Sequence, residues 1–444
     1  MLQQGGSAVD GAIAALLCTS VVNPQSMGIG GGSIFTIRNK AGNVKVYNFR
    51  ETVPQSFKSN LLNDCPTTFK LSTGTQWIGV PGELRGYEAV HKQYGKLPWA
   101  KLFEPTIRLA REGIPMPPYL ANLLGHPLVK PHVEKSSLCQ VFCNKNKTIL
   151  GKADTLKFPK LAETMEIIAE QGADAFYTGK IGQDLIKDIK EAGGTLEMVD
   201  LKSFKVQVQD AWKVPLGDSQ MYIPPPPAGG ALLAFILQLM KAFPWPASSL
   251  DGYQKIQMYH HYIEAAKFAN GQKKSICDPL FNNGKSTALF CRFGGAIYSP
   301  RTGIILNNEL SDFCGRADRV RAGERPPSSM TPVILESKSG GLLVIGGSGG
   351  SLITSAVALS IMNRLWLGMN LRDAITEPIV FVDSRNNLNF ESKFNETVKD
   401  GLKALGHKVG NWLHFVNVVN AVEKENGCIV AVSDRRKLGM SAGY

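Results

Sequence analysis

Gly346-Gly347-Ser348-Gly349-Gly350-Ser351 stands between an apolar, β-rich stretch, Leu342 to Ile345, and a helical pattern that runs from Leu352 to Leu367. A glycine turn between a strand and a helix leaves backbone N–H groups at the positive end of the helix dipole. Such a nest suits an anion or a developing oxyanion. A merely tight turn and a nucleotide-phosphate loop are the rival readings. No Lys-Ser/Thr follows the glycines, which excludes a Walker-type P-loop. Around this turn the last third of the chain is β-rich, with Gly303 to Leu306, Thr331 to Glu336 and Cys428 to Ser433 as strands and Val416 to Val422 as a helix.

The opposite end of the chain also holds strands. Ser7 to Val22 reads as a helix capped by Ser7, with Asp10 in its first turn, and Asn23-Pro24 ends it. Gly28-Ile29-Gly30-Gly31-Gly32 then leads into a hairpin, Ser33 to Arg38 and Val44 to Phe49, turning at Ala41-Gly42-Asn43. The middle is mostly helical: Leu84 to Tyr94, Trp99 to Glu112, Pro159 to Gln171, Gly230 to Ala242 and Tyr253 to Ala269. Strands at both ends with helices between predict a layered α+β architecture.

The 444 residues are 43% hydrophobic and 19% charged, a globular balance that argues against extended disorder. The net charge of +12 raises the question of nucleic acid. Basic residues come in pairs and short runs, such as Lys273-Lys274 and Arg435-Arg436-Lys437, without a zinc-finger spacing, an aromatic RNA-binding motif or a basic helix. A solvated basic surface is the better account, and no nucleic-acid partner is expected. Eight cysteines in this length do not make a disulfide scaffold, and the C-x3-C of Cys139 and Cys143 lacks a second ligand pair for zinc. Asn146-Lys147-Thr148 and Asn395-Glu396-Thr397 fit the glycosylation pattern. The longest apolar stretch, Ala231 to Met240, is too short to cross a bilayer. The chain opens inside the lead-in to a helix, so a segment upstream is expected.

Several residues have the chemistry to recognise an α-amino acid. Arg50, at the end of a strand, can grip a carboxylate bidentately. Glu309 and Asp312 form an i, i+3 acid pair suited to an amino group, a metal or acid–base work; an ordinary acidic helix start is the alternative. Ser328 and Ser329 can donate to a carboxylate or simply make a turn. His260-His261 lies in a helix, where the two rings point to different faces, and packing explains it better than a metal. Together these suggest a carboxylate grip, an ammonium grip and an oxyanion hole.

At this point the sequence resembles the γ-glutamyltransferase (glutathione hydrolase) family. The resemblance rests on Ser7 to Leu16 with Val21 to Gly32, Phe49-Arg50-Glu51-Thr52, Gly79-Val80-Pro81-Gly82-Glu83, and Pro225 to Gly230. Leu306-Asn307-Asn308-Glu309, Pro327-Ser328-Ser329-Met330, the glycine turn and Ser433 to Lys437 continue it. Tyr298 to Leu306 and Leu365-Trp366-Leu367-Gly368 are most similar to the branch that cleaves leukotriene C4 as well as glutathione. The resemblance implies an N-terminal-nucleophile hydrolase with a four-layer αββα sandwich, no metal or organic cofactor, and two self-cleaved subunits forming a heterodimer at the outer face of the plasma membrane. It further implies that Arg50, with Ser328 and Ser329, holds the α-carboxylate of a γ-glutamyl group. Glu309 and Asp312 would hold its ammonium, and the N–H groups of Gly349 and Gly350 would form the oxyanion hole.

One departure cuts across the matches. Such proteins carry a nucleophilic threonine in a Thr-Ser/Ala-His segment, followed by a strand pair, just ahead of the Tyr-Ser-Pro element. Here Cys277-Asp278-Pro279 runs through Phe293 into Gly294-Gly295-Ala296-Ile297-Tyr298 with no such segment. Thr287 lacks the following histidine and the spacing to Tyr298. The chain therefore divides into a large-subunit-like region, 1–280, an anomalous junction, 281–297, and a small-subunit-like region, 298–444, which together form one αββα domain. With its nucleophile segment absent, the sandwich is expected to be incomplete, and self-cleavage, heterodimer formation and turnover are expected to fail. A non-catalytic relative that keeps the γ-glutamyl pocket is the alternative to an enzyme.

Overall fold

Ser7 starts the first long helix by a reciprocal cap: its hydroxyl accepts from Asp10 N at 3.1 Å, and the Asp10 carboxylate accepts from Ser7 N at 2.7 Å. Helix α1 (Ala8–Val22) follows, then the antiparallel hairpin β1 (Ile34–Arg38) and β2 (Val44–Asn48). The next helices are α2 (Glu83–Tyr94), α3 (Trp99–Glu112), α4 (Pro159–Gln171) and α5 (Lys180–Glu191). Strands β3 (Gln207–Asp210), β4 (Trp212–Leu216) and β5 (Ser219–Ile223) lead to helices α6 (Gly230–Lys241) and α7 (Gly252–Gln272). Beyond the junction come β6 (Val333–Ser337), β7 (Leu342–Ser348), α8 (Ile353–Leu365), β8 (Val418–Glu425) and β9 (Cys428–Ser433). This computed structural model describes residues 1–65, 74–245, 250–273, 276–281, 297–316, 319–411 and 416–443. Thr287 and all of the junction except its end residues 281 and 297 lie outside the described residues.

Two antiparallel sheets stack. One has the order β1-β2-β3, the other β9-β8-β7-β6-β5-β4. Alternation along each strand sends one face outward to helices and the other toward the facing sheet. From the small sheet, Phe35, Tyr47 and Phe49 pack with Leu84, Tyr87 and the α1–α3 core. From the large sheet, Val333, Leu335, Leu343, Ile345 and Val419 pack with Leu233, Tyr262 and Val357 of α6, α7 and α8. Between the sheets, Ile34, Val44 and Val46 meet Tyr222 and Ile334, while Thr36 Oγ1 donates to Pro332 O at 2.9 Å and Arg38 pairs with Glu336 at 2.6 Å. The layers are helix, sheet, sheet, helix, as the α+β expectation required.

Among the described residues the facing sheets are unequal, three strands against six. Among the described residues, the inner face of the large sheet beyond the hairpin stays open: Val344, Val422 and Ile429 are 47%, 44% and 69% exposed. A shallow apolar cleft of about 360 Å³ runs there between Pro332 and Ser433. No described helix is long and apolar enough to cross a membrane.

Val416 to Val422 is not a helix. Its β-branched residues form β8, paired with β7 through Val419↔Gly347 and with β9 through Ala421↔Val432. Val419 and Ala421 face the helices while Val422 lies on the open face, so both faces are apolar and the period-2 alternation does not show in the sequence. The stretch Gly303 to Leu306 forms only a single bridge, Tyr298↔Ile305.

Phe49 closes the hairpin onto α2. Its ring meets Phe35 edge-on at 4.8 Å and occupies the space a side chain at Gly86 would need. It is fully buried, so Phe49→Ala should cost about 3–5 kcal/mol, read as a lower urea midpoint.

Candidate active site

Arg50 lies two residues beyond β2 with its side chain almost wholly removed from water. A guanidinium cannot shed its proton there, so burial demands acceptors around it. They are present. Asp312 Oδ2 lies 2.5 Å from Nη2 and Glu309 Oε2 3.0 Å from it. Nε donates to Pro326 O at 2.9 Å and Nη2 to Pro327 O at 3.1 Å. Glu51 Oε2 stands 3.9 Å from Nη1. Burial first, and then the charge of Glu309, push the carboxyls of Asp312 and Glu51 well above their ordinary range, while Arg50 pulls them back.

Glu309 and Asp312 share one short 3-10 turn, Glu309–Phe313, whose apolar residues Leu310 and Phe313 point into a satellite core with Leu61, Trp77 and Val320. Asn307 fixes the entry to this turn. Its amide donates to Gly30 O at 2.8 Å and Gly79 O at 2.9 Å, and its carbonyl accepts from Gly79 N at 2.9 Å. Gly82 N and Glu83 N both donate to Gly31 O. The glycine turn at 28–32, the 79–83 segment and the acid turn are thus locked to one another by a single buried side chain and one carbonyl.

Ser328 and Ser329 are buried beside the two prolines whose carbonyls hold Arg50. The proline-rich run supports them: Ser328 N donates to Pro227 O at 2.8 Å and Gly229 N to Met330 O at 3.0 Å. The antiparallel register Val333↔Ile345, continued toward the strand ends, sets position 349 level with position 329. The glycine turn therefore lies at the same end of the large sheet as the serine turn. Gly349 has φ +126° and Gly350 φ +63°, backbone that side-chain-bearing residues rarely adopt, and a Cβ on Gly349 would fall 2.6 Å from Asn417 Cα. The chain then passes through a 3-10 turn into α8.

The structure brings Arg50, Glu309 and Asp312 into direct contact, a pairing that the sequence, read as separate carboxylate and ammonium grips, did not reveal. Asn307 was visible only as part of a motif. Asp188 was not singled out at all: it accepts from Arg301 N at 2.9 Å and also holds Ser299 Oγ and Arg301 Nη1, so α5 anchors the segment that follows the junction. No described residue supplies a nucleophilic threonine followed by histidine.

The remaining candidates lie elsewhere. Asn146 is in an exposed turn, and Asn395 is an exposed helix cap whose Oδ1 accepts from Val398 N at 3.0 Å. Cys139 pairs with Cys143, and Cys65 with Cys314. His261 packs on Phe243 with ring centroids 4.0 Å apart. His260, by contrast, gathers with Glu264 and His407 in a group whose atoms could face one ion. Lys267 Nζ already sits there, 2.8 Å from Glu264 Oε1 and 3.0 Å from His407 Nδ1, so the group carries its own cation.

The model of the gamma-glutamyltranspeptidase family matches residues 1–291 and 286–444. The glutathione hydrolase 5 proenzyme of Rattus norvegicus is 43% identical over 514 positions, covering 100% of this chain and 90% of that protein. The Homo sapiens glutathione hydrolase 5 proenzyme is likewise 43% identical, with the same coverage. Alignments of 514 positions against 444 residues leave dozens of positions in the relative without a counterpart, and the family match breaks in two at 286–291. Among solved structures, the cephalosporin acylase of Bacillus halodurans superimposes with a TM-score of 0.86 at 22% identity, covering 98% of this chain and 91% of that one, a likeness of fold. The gamma-glutamyltranspeptidase of Helicobacter pylori gives 0.57 at 28% identity over 64% of this chain and 81% of that one.

Full burial raises the carboxyl of Glu83, at the start of α2, to about 7, although Ser33 Oγ donates to it at 2.9 and 3.0 Å and pulls the other way. The native state therefore holds this proton more tightly than the unfolded chain does. Its contribution is complete below pH 4.5, is lost as the pH rises to about 7, and is flat beyond. Glu83→Gln should remove that slope and gain on the order of 3 kcal/mol over the parent at pH 8, with little change at pH 4.5. Denaturant midpoints at the two pH values measure this.

Proposed function

This chain belongs to the gamma-glutamyltranspeptidase family, and from that we propose that it binds the γ-glutamyl group of glutathione and its conjugates at Arg50, Glu309, Asp312, Ser328 and Ser329. The observation that carries this reading is the buried Arg50–Asp312–Glu309 cluster. Without ligand, Arg50 is paired with these acids. A zwitterionic α-amino acid head group can enter by exchange: its carboxylate takes the Arg50 N–H groups while its ammonium replaces Arg50 at Asp312 and Glu309. Charge in the pocket stays balanced, so entry avoids leaving a buried ion unpaired. Ser328 and Ser329 would complete the carboxylate grip.

The reaction to which this pocket belongs is acyl transfer. The γ-carbonyl would lie toward Gly349 and Gly350, whose backbone N–H groups stabilise the oxyanion as a threonine attacks. The acyl group then passes to water or to an amino acid or peptide acceptor. The threonine is what this chain lacks, and the break of the family match at 286–291 supports that reading. We therefore infer a head-group site intact for binding, with no self-cleavage into two subunits and no turnover in this 444-residue form. The Tyr298 to Leu306 segment favours leukotriene C4 among the conjugates. Two disulfides among the described residues and two exposed glycosylation acceptors favour an oxidising compartment, with the outer face of the plasma membrane as the site of action.

Calorimetry with glutathione tests the pocket. Binding should be measurable with the parent and at least tenfold weaker with Arg50→Lys, which keeps the charge but loses the planar fork. Equal affinity would remove Arg50 from the site. The chemistry is tested with L-γ-glutamyl-p-nitroanilide. The chain as it stands should release no p-nitroaniline, whereas a chain given the rat relative's extra segment between 286 and 291 should cleave itself and turn over. Release by the unaltered chain would show that a nucleophile is present after all.

A further inference from the structure

Cys65 and Cys314 are 249 residues apart in sequence, yet their Cα atoms lie 5.6 Å apart in a disulfide. Cys314 directly follows the Glu309–Phe313 turn, and Cys65 directly follows the Leu61–Asp64 turn. Both turns are 3-10 segments, whose hydrogen bonds are too few and too bent to fix them in place unaided. Their shared support is the satellite core of Val53, Leu61, Trp77, Leu310, Phe313 and Val320, which is small and separate from the two main cores. The acids lie on the other side of the same turn, in contact with Arg50. Asn307 holds the entry to the turn, with its Oδ1 accepting from Glu309 N at 3.2 Å. The exit is held by the disulfide and, two residues on, by the buried Arg316–Glu324 pair at 2.5 Å.

We propose that the Cys65–Cys314 disulfide is a positioning element for the two acids that receive the ligand's ammonium group, which makes γ-glutamyl recognition sensitive to thiols. This rests on the head-group site proposed above. Cys65 is only half-buried, whereas Cys314 is buried, so an incoming thiolate reaches Cys65 Sγ first. Attack there forms a mixed disulfide and expels the Cys314 thiolate, which takes up a proton. A second thiolate then attacks the external sulfur, releases Cys65 as a thiol after proton uptake, and leaves as the external disulfide. Two reductant thiols are oxidised and two protein thiols formed. With the bridge open, the acid turn keeps its entry anchor and loses half of its exit. Asp312 and Glu309 then no longer meet an ammonium held by a carboxylate on Arg50. The arginine side of the pocket touches these acids but is also hung on Pro326 and Pro327, anchors that stay in place when the bridge opens.

That asymmetry gives the test. Binding of S-methylglutathione, which has no thiol, is compared with binding of its des-amino analogue, in which a glutaryl group replaces the γ-glutamyl group. The proteins are the oxidised chain, Cys314→Ser, and a double Cys139→Ser/Cys143→Ser control. The expected result is a roughly tenfold loss for S-methylglutathione in Cys314→Ser, little change for the des-amino analogue, and no change in the control. Dithiothreitol should reproduce the loss in the parent and reoxidation restore it, which keeps the test open should Cys314→Ser fold poorly. Amide exchange over 309–314 should rise in step. Unaltered affinity for S-methylglutathione after the bridge is shown open by thiol alkylation would overturn the proposal while leaving the pocket standing. Equal losses for both ligands would also overturn it, by making the bridge a general brace. No binding by the oxidised chain would sink the head-group reading and this inference with it.

Discussion

A permanently charged guanidinium placed out of water sets the terms for the rest of this molecule. Arg50 cannot neutralise itself, so its burial is tolerable only where acids and carbonyls converge on it. Those partners come from the far side of the sequence: Asp312 and Glu309 from one turn, Pro326 and Pro327 from another. Holding them there requires the hairpin that delivers Arg50, the Asn307 amide that pins the acid turn, and the proline run that backs the serine turn. The layered fold is the frame on which these loops meet. The same cluster of cation and acids is what the proposed head-group site rests on.

Much of the frame was legible because its signals are local. The Ser7–Asp10 cap, the turn at Ala41-Gly42-Asn43 and the proline start of α4 each specify a boundary from a few neighbouring residues. Trp99–Glu112 and Pro159–Gln171 coincide with their expected limits. Val416 to Val422 misled because valines stand on its open face as well as its helix side, which blurs the alternation that would mark a strand. The chemistry of the site was legible by residue type, not by partnership. Arg50 and the acid pair could be named as grips, but their mutual contact spans more than two hundred and fifty residues and leaves no spacing to read. The same holds for Cys65 with Cys314, Asp188 with Arg301, and His260 with His407.

Among the described residues the two facing sheets are unequal, and the family match comes in two pieces that meet at 286–291. A three-stranded layer leaves part of a six-stranded one uncovered, and apolar residues of the larger sheet stay open there. An open β face of this kind invites association, so the chain carries both a well-packed recognition site and an exposed surface beside it. The two main cores do not depend on that surface, since each sheet has its own helical layer.

The bridge between Cys65 and Cys314 has a topological meaning as well. Its two ends lie on opposite sides of the 281–297 junction, one in each half of the chain. A backbone cut anywhere between them would leave two fragments still joined by a covalent bond. In an oxidising environment such a pair would migrate as one species and separate only on reduction, so the integrity of the polypeptide and the unity of the molecule are here independent properties.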